Sequence, residues 1–76
     1  GDLVLLTPQI CLYRKDYNRV LEAAKTHFET NDSLTLAQLR DRMNTSRKYA
    51  QAIIEYFDKI HITRKDGDIH YLDQGF

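Results

Sequence analysis

The sequence predicts an α+β fold of the winged-helix type: three helices, a small antiparallel sheet and a C-terminal β-hairpin wing. Three observations carry this expectation. Thr35-Leu36-Ala37-Gln38 has the hydroxyl and amide spacing of a capping box that opens a short helix. Asn44-Thr45 then interrupts the apolar pattern before a longer helical stripe begins. Finally, Asp66-Gly67 separates two short strand-like runs, a strong short-range hairpin signal.

Each element follows in order. "LVLL" (3–6) and "ICLY" (10–13) flank Thr7-Pro8-Gln9 and read as a strand pair, with Pro8 placed to start the turn. Tyr17, Val20, Leu21, Ala24 and Phe28 recur at helical spacing between Lys15 and Thr30, one face of an amphipathic helix that ends at "TNDS" (30–33). Leu36, Leu39 and Met43 form the inward face of the second helix. Thr45 or Ser46 caps the third, whose buried stripe is Ala50, Ile53, Ile54 and Phe57. "HITRK" (61–65) and "DIHYL" (68–72) supply the wing. The expected organisation is a strand pair at 1–13, either the end of an upstream domain or a part of this one, followed by a winged-helix domain at 14–76.

Composition narrows the function. Seventy-six residues make one small domain, and the chain reads as part of something longer because it begins at Gly1. No apolar run reaches membrane-spanning length. Cys11 is the single cysteine, so an internal disulfide is ruled out and a reducing compartment fits; its place in "ICLY" predicts a packed core thiol. The formal charge of zero hides an asymmetry: from 34 to 65 there are seven Lys/Arg against three acids, a net of +4, and the remainder carries −4. One side of such a domain can hold a polyanion at close range.

Catalysis finds no support in the residues. The three glycines, Gly1, Gly67 and Gly75, form no phosphate loop, and His27, His61 and His70 have no metal-ligand spacing. Recognition fares better. In "TSRKYA" (45–50) two hydroxyl residues precede Arg47 and Lys48 at a helix start. Free backbone N–H groups and the positive helix end already favour a phosphate there, and two cations strengthen that preference while opposing the dipole of the isolated helix. The candidate polyanion-binding residues are therefore Ser46, Arg47, Lys48, Tyr49, Gln51, Arg64 and Lys65, the set that the family resemblance given below makes RNA-binding. Tyr49 borders the buried stripe, either to pack on the wing or to stack on a base. Gln51, Ala52 and Glu55 are read as the exposed continuation of the same helix, and Arg40 and Arg42 as extensions of the cationic surface.

The segment 34–72, and in particular "RD..NTSRKYA...IEYFDK...TRK.GD", resembles the last winged-helix domain of the bacterial selenocysteine-specific elongation factor family, SelB; "LYRKDY" (12–17) extends the similarity upstream. The resemblance implies binding of the SECIS hairpin of selenoprotein mRNA. It places the family's basic recognition-helix start on Ser46, Arg47 and Lys48 and its wing cations on Arg64 and Lys65. It also implies an upstream winged-helix domain, work on the ribosome through the full-length factor, and a cytoplasmic setting. This piece would need no cofactor and be no enzyme, with GTP bound elsewhere in the full-length factor. Met43-Asn44 departs from the family's Leu-Gly before the basic motif, and "DIHYL" is less basic than the family's final strand. Two other functions fit the same architecture: a DNA-binding winged helix of a transcription regulator, and a protein-interaction winged helix.

Overall fold

The structure, a computed structural model, describes residues 2–76. Residue 1 of the expected 1–13 segment lies outside the described residues. The elements are β1 (Leu3–Thr7), β2 (Ile10–Tyr13), α1 (Arg14–Thr30), β3 (Ser33–Thr35), α2 (Leu36–Met43), α3 (Arg47–Lys59), β4 (Thr63–Asp66) and β5 (Ile69–Leu72). β1 and β2 pair antiparallel, and β3, β5 and β4 form a second antiparallel sheet with β5 in the middle. The expected α+β winged helix is thus observed.

The β1–β2 turn closes on Thr7, whose Oγ1 accepts from the N–H groups of Gln9 and Ile10 at 3.2 and 3.0 Å. α1 has no side-chain cap; instead the Arg14 N–H donates to the Asp2 carbonyl at 2.6 Å. Thr35 caps α2 as expected, in a complete capping box with Gln38. β3 had no separate signal in the sequence, where Ser33 read only as helix-ending punctuation. It forms because β5 offers a free edge, and pairing places Leu34 opposite His70.

The core joins α1, α2, α3 and β1. Val4, Leu6, Tyr17, Val20, Ala24, Leu34, Leu39, Ile53, Ile54 and Phe57 form one buried cluster. Phe57 is at its centre, with Tyr17 and Phe76 edge-on at centroid distances of 6.4 and 6.1 Å.

Three local expectations are corrected. Cys11 is exposed, because β2 turns it to the face opposite Leu12, away from the core. Ala52 is buried rather than exposed: the β1–β2 hairpin packs over that side of α3. The wing turn is centred on Gly67-Asp68, one residue later than Asp66-Gly67, since Asp66 still pairs with Ile69. Only Gly67 of the two central residues has positive φ, at +66°, the pattern of a II′ turn.

Candidate nucleic-acid interface

The interface is built on the junction between α2 and α3. α2 ends at Asn44, in the left-handed region at φ 50°. Its N–H reaches the Asp41 carbonyl and the Thr45 N–H reaches the Arg40 carbonyl, both at 3.3 Å. This Schellman-type closure fits the family departure noted above, because asparagine tolerates left-handed angles nearly as a glycine does. The chain then reverses tightly enough for Ser46 to cap α3. Ser46 Oγ accepts from the Tyr49 N–H at 3.3 Å, and its carbonyl accepts from the Ala50 N–H at 3.0 Å.

That closure leaves the amides of Arg47 and Lys48 at the positive end of the helix without a partner among the described residues. Ser46, Arg47, Lys48 and Tyr49 are all exposed. Among the described residues, neither Arg47 nor Lys48 bridges to an acid; the ion pairs are Arg19–Asp16 and Arg40–Asp41, and His70 is hydrogen-bonded to Asp58.

Consecutive helical residues point about 100° apart, so the opening turn fans its side chains in different directions. Arg47 and Gln51 line a groove of about 460 Å³ between α3, the start of α2 and the wing, together with Glu55, Lys65 and His70. There Gln51 Nε2 donates to Glu55 Oε2 at 2.9 Å. Lys48 lies with Arg47 and Gln51 on a second, shallower groove against Thr7, Gln9 and Ile10 of the first hairpin. Tyr49 is 42% exposed and does not meet the wing. It lines a third depression of about 370 Å³ with Leu12, Tyr13, Asp16 and Arg19.

The two wing cations also separate. Lys65 pairs with the buried His70 and shares its face, toward α3. Arg64 pairs with Tyr71 on the outer face, where its guanidinium carbon lies 5.4 Å from the ring centroid. The structure therefore brings Arg47, Gln51 and Lys65 together, with Lys48 at the margin, and leaves Arg64 on the far side of the wing.

Two polar clusters that hold this geometry had no distinctive motif in the sequence. Asp58 of α3 accepts from Thr63 Oγ1 at 2.6 Å, and His70 Nδ1–H lies 3.0 Å from its Oδ2 and 3.1 Å from Oδ1. Thr63 and His70 are buried, so this carboxylate pins both wing strands to the recognition helix. The only sequence trace is a Thr and a His at inward-facing positions of their strands. His27, also buried, donates from Nε2 to the Ser33 carbonyl at 2.7 Å while Nδ1 accepts from Arg42 Nε at 2.8 Å. Arg42 is thereby turned toward α1 instead of the expected cationic surface.

A family model, "Elongation factor SelB, winged helix", matches residues 26–72, more than half of the chain. The chain belongs to the SelB winged-helix family. Among SelB relatives, it is 40% identical over 63 residues to the selenocysteine-specific elongation factor of Escherichia coli (strain K12), covering 79% of this chain and 10% of that protein. It also superposes on the mRNA-binding domain of elongation factor SelB from E. coli, solved in complex with SECIS RNA, with a TM-score of 0.76 and 27% identity. That likeness covers 96% of this chain and 60% of the solved one. The chain thus spans about a tenth of the curated SelB and under two thirds of its mRNA-binding domain.

Proposed function

We propose that this chain is an mRNA-reading module of a selenocysteine-specific translation elongation factor, gripping a SECIS-type RNA hairpin with the first turn of α3 and the wing. The observation that carries the reading is the free cationic opening turn of α3, presented on a fold that superposes on a SelB domain solved with SECIS RNA. Phosphate oxygens meet the Arg47 and Lys48 amides and side chains, and the Ser46 hydroxyl hydrogen remains free to donate although its oxygen is used in the cap. A-form RNA hides its bases in a narrow major groove, so sequence is read from loop or bulged bases. Arg47, Gln51 and Lys65 supply donors for a splayed base at the groove, and the half-exposed Tyr49 ring offers a stacking surface in the separate depression on the other side of the opening turn.

On this reading the module has no catalytic role and needs no cofactor of its own. GTP binding, contact with the ribosome and any further winged helix belong to other parts of a longer cytoplasmic protein.

Filter binding tests the proposal with one SECIS-type hairpin RNA and one DNA duplex of equal length over a salt series. The hairpin is expected to bind tighter, and Lys48→Ala to reduce the salt slope by about one unit. Arg47→Ala is expected to cost about 1–3 kcal/mol in hairpin affinity. Equal affinity for RNA and DNA, or none for either, overturns the assignment.

A further inference from the structure

The groove between α3, the start of α2 and the wing is not a purely cationic surface. Arg47 and Lys65 line it together with two acids, Glu55 and Asp68, so its formal charges balance. Neither of these carboxylates lies within 4.0 Å of a cationic nitrogen among the described residues. Glu55 instead accepts from Gln51 Nε2 at 2.9 Å, one helical turn earlier. A carboxylate can only accept, so this bond fixes which end of the Gln51 amide points at it. Glu55 itself is exposed, and most of its lone pairs are unused.

A surface that held phosphate alone would be weakened by an acid at this place. Glu55 borders both the wing-side groove and the shallower one that carries Lys48. It stands about two turns and 12 Å beyond Arg47 along the helix axis. The cations therefore sit at the opening turn of α3 and on the wing, and a carboxylate interrupts the path along the helix. An RNA backbone that followed α3 past its first turn would bring a phosphate against that carboxylate. A base meets different terms. Leu36, Ala37 and Ile54 give the groove an apolar part for a flat ring, and Glu55 offers acceptors to an edge that carries N–H groups.

We infer, on the strength of the RNA reading, that Glu55 is a specificity-determining residue: its carboxylate accepts from an N–H of an unpaired loop base held in the groove and turns phosphate away. Arg47 and Lys65 donate to the acceptors of the same base, and Gln51 holds the carboxylate in place. Selection comes from both signs. A base lacking the N–H leaves the carboxylate unpaired, and a phosphate in its place meets like charge.

Filter binding at fixed salt tests this with two RNAs, the SECIS-type hairpin and the same hairpin with its loop bases removed to leave abasic sites. The wild-type chain is expected to prefer the complete loop by about ten-fold or more. Glu55→Gln keeps the size of the side chain and removes its charge. It is expected to bind the abasic hairpin tighter than the wild type does and the complete hairpin no tighter, narrowing the preference by about five-fold or more. Asp68→Asn removes an equal charge from the same groove and is expected to raise both affinities alike, leaving the preference intact. Equal gains for both RNAs in Glu55→Gln overturn the proposal, because Glu55 then acts only through diffuse charge. An equal narrowing in Asp68→Asn overturns it too, since selection then belongs to the charge of the groove and not to Glu55. A wild-type chain that binds both hairpins equally tightly overturns this role of Glu55 while the RNA reading stands; one that binds neither overturns both.

Discussion

Tyr17 links the first helix to the core through aromatic edges, with Tyr56 at 5.8 Å and 85° and Phe57 at 6.4 Å and 65°. Burial pushes its phenol above the ordinary value of 10.0; the nearby Tyr56 adds to the rise and Arg14 opposes it. Above pH 10 the unfolded chain releases this proton before the folded one does, so the folded state binds more protons and stability falls as pH rises toward the folded value. Urea midpoints measured from pH 8 to 11 are expected to decline, and Tyr17→Phe to flatten part of that decline. An unchanged slope in the variant would place the alkaline sensitivity elsewhere. Thr63 makes a second residue-scale case. Thr63→Val removes a buried donor from Asp58, with an expected loss of about 1–3 kcal/mol in denaturant unfolding.

At the scale of elements, α2 and α3 end in the same way. After α3 the His61 N–H reaches the Asp58 carbonyl at 3.2 Å and the Ile62 N–H reaches the Phe57 carbonyl at 3.0 Å, with His61 left-handed at φ 66°. Asn44 and His61 thus occupy positions where glycine is common. His61→Gly is expected to stabilise the domain by about 1 kcal/mol, because it removes the Cβ strain of the left-handed conformation. Ser46→Ala is expected to cost about 1 kcal/mol through the lost cap. Both are read from thermal or urea unfolding. The capping box, the Asn44 break and the helical stripes were legible because each is a contiguous pattern with a local cause. β3 was not, since a three-residue strand at Ser33–Thr35 exists only by virtue of the β5 edge.

Across the whole molecule, the wing is fastened to α3 through Asp58, Thr63 and His70, and this decides which cations can act together. Sequence adjacency makes Arg64 and Lys65 equivalent wing residues, whereas strand alternation sends them to opposite faces. If the RNA reading holds, Lys65→Ala weakens hairpin binding measurably and Arg64→Ala weakens it several-fold less; the reverse order in filter binding would move the interface to the outer wing. The likeness in "TSRKYA" identified the family, but the grouping of Arg47 and Gln51 with Lys65 required the folded wing. Cys11 shows the same limit from the other side. Its apolar run reads as core, and in this chain it faces outward because the layer above α1 and α3 is already filled by Val4 and Leu6.

From the sequence alone came the order of helices and hairpins, the caps and turns that bound them, the charged opening of α3 and the family. These depend on residues within a turn or two of one another, whose spacing is written directly in the chain. Only the tertiary structure decided which face of each strand is covered, that Arg42 serves His27, and that Asp58 anchors the wing. Each of those outcomes depends on which distant element supplies the opposing surface, and no local spacing encodes that partner.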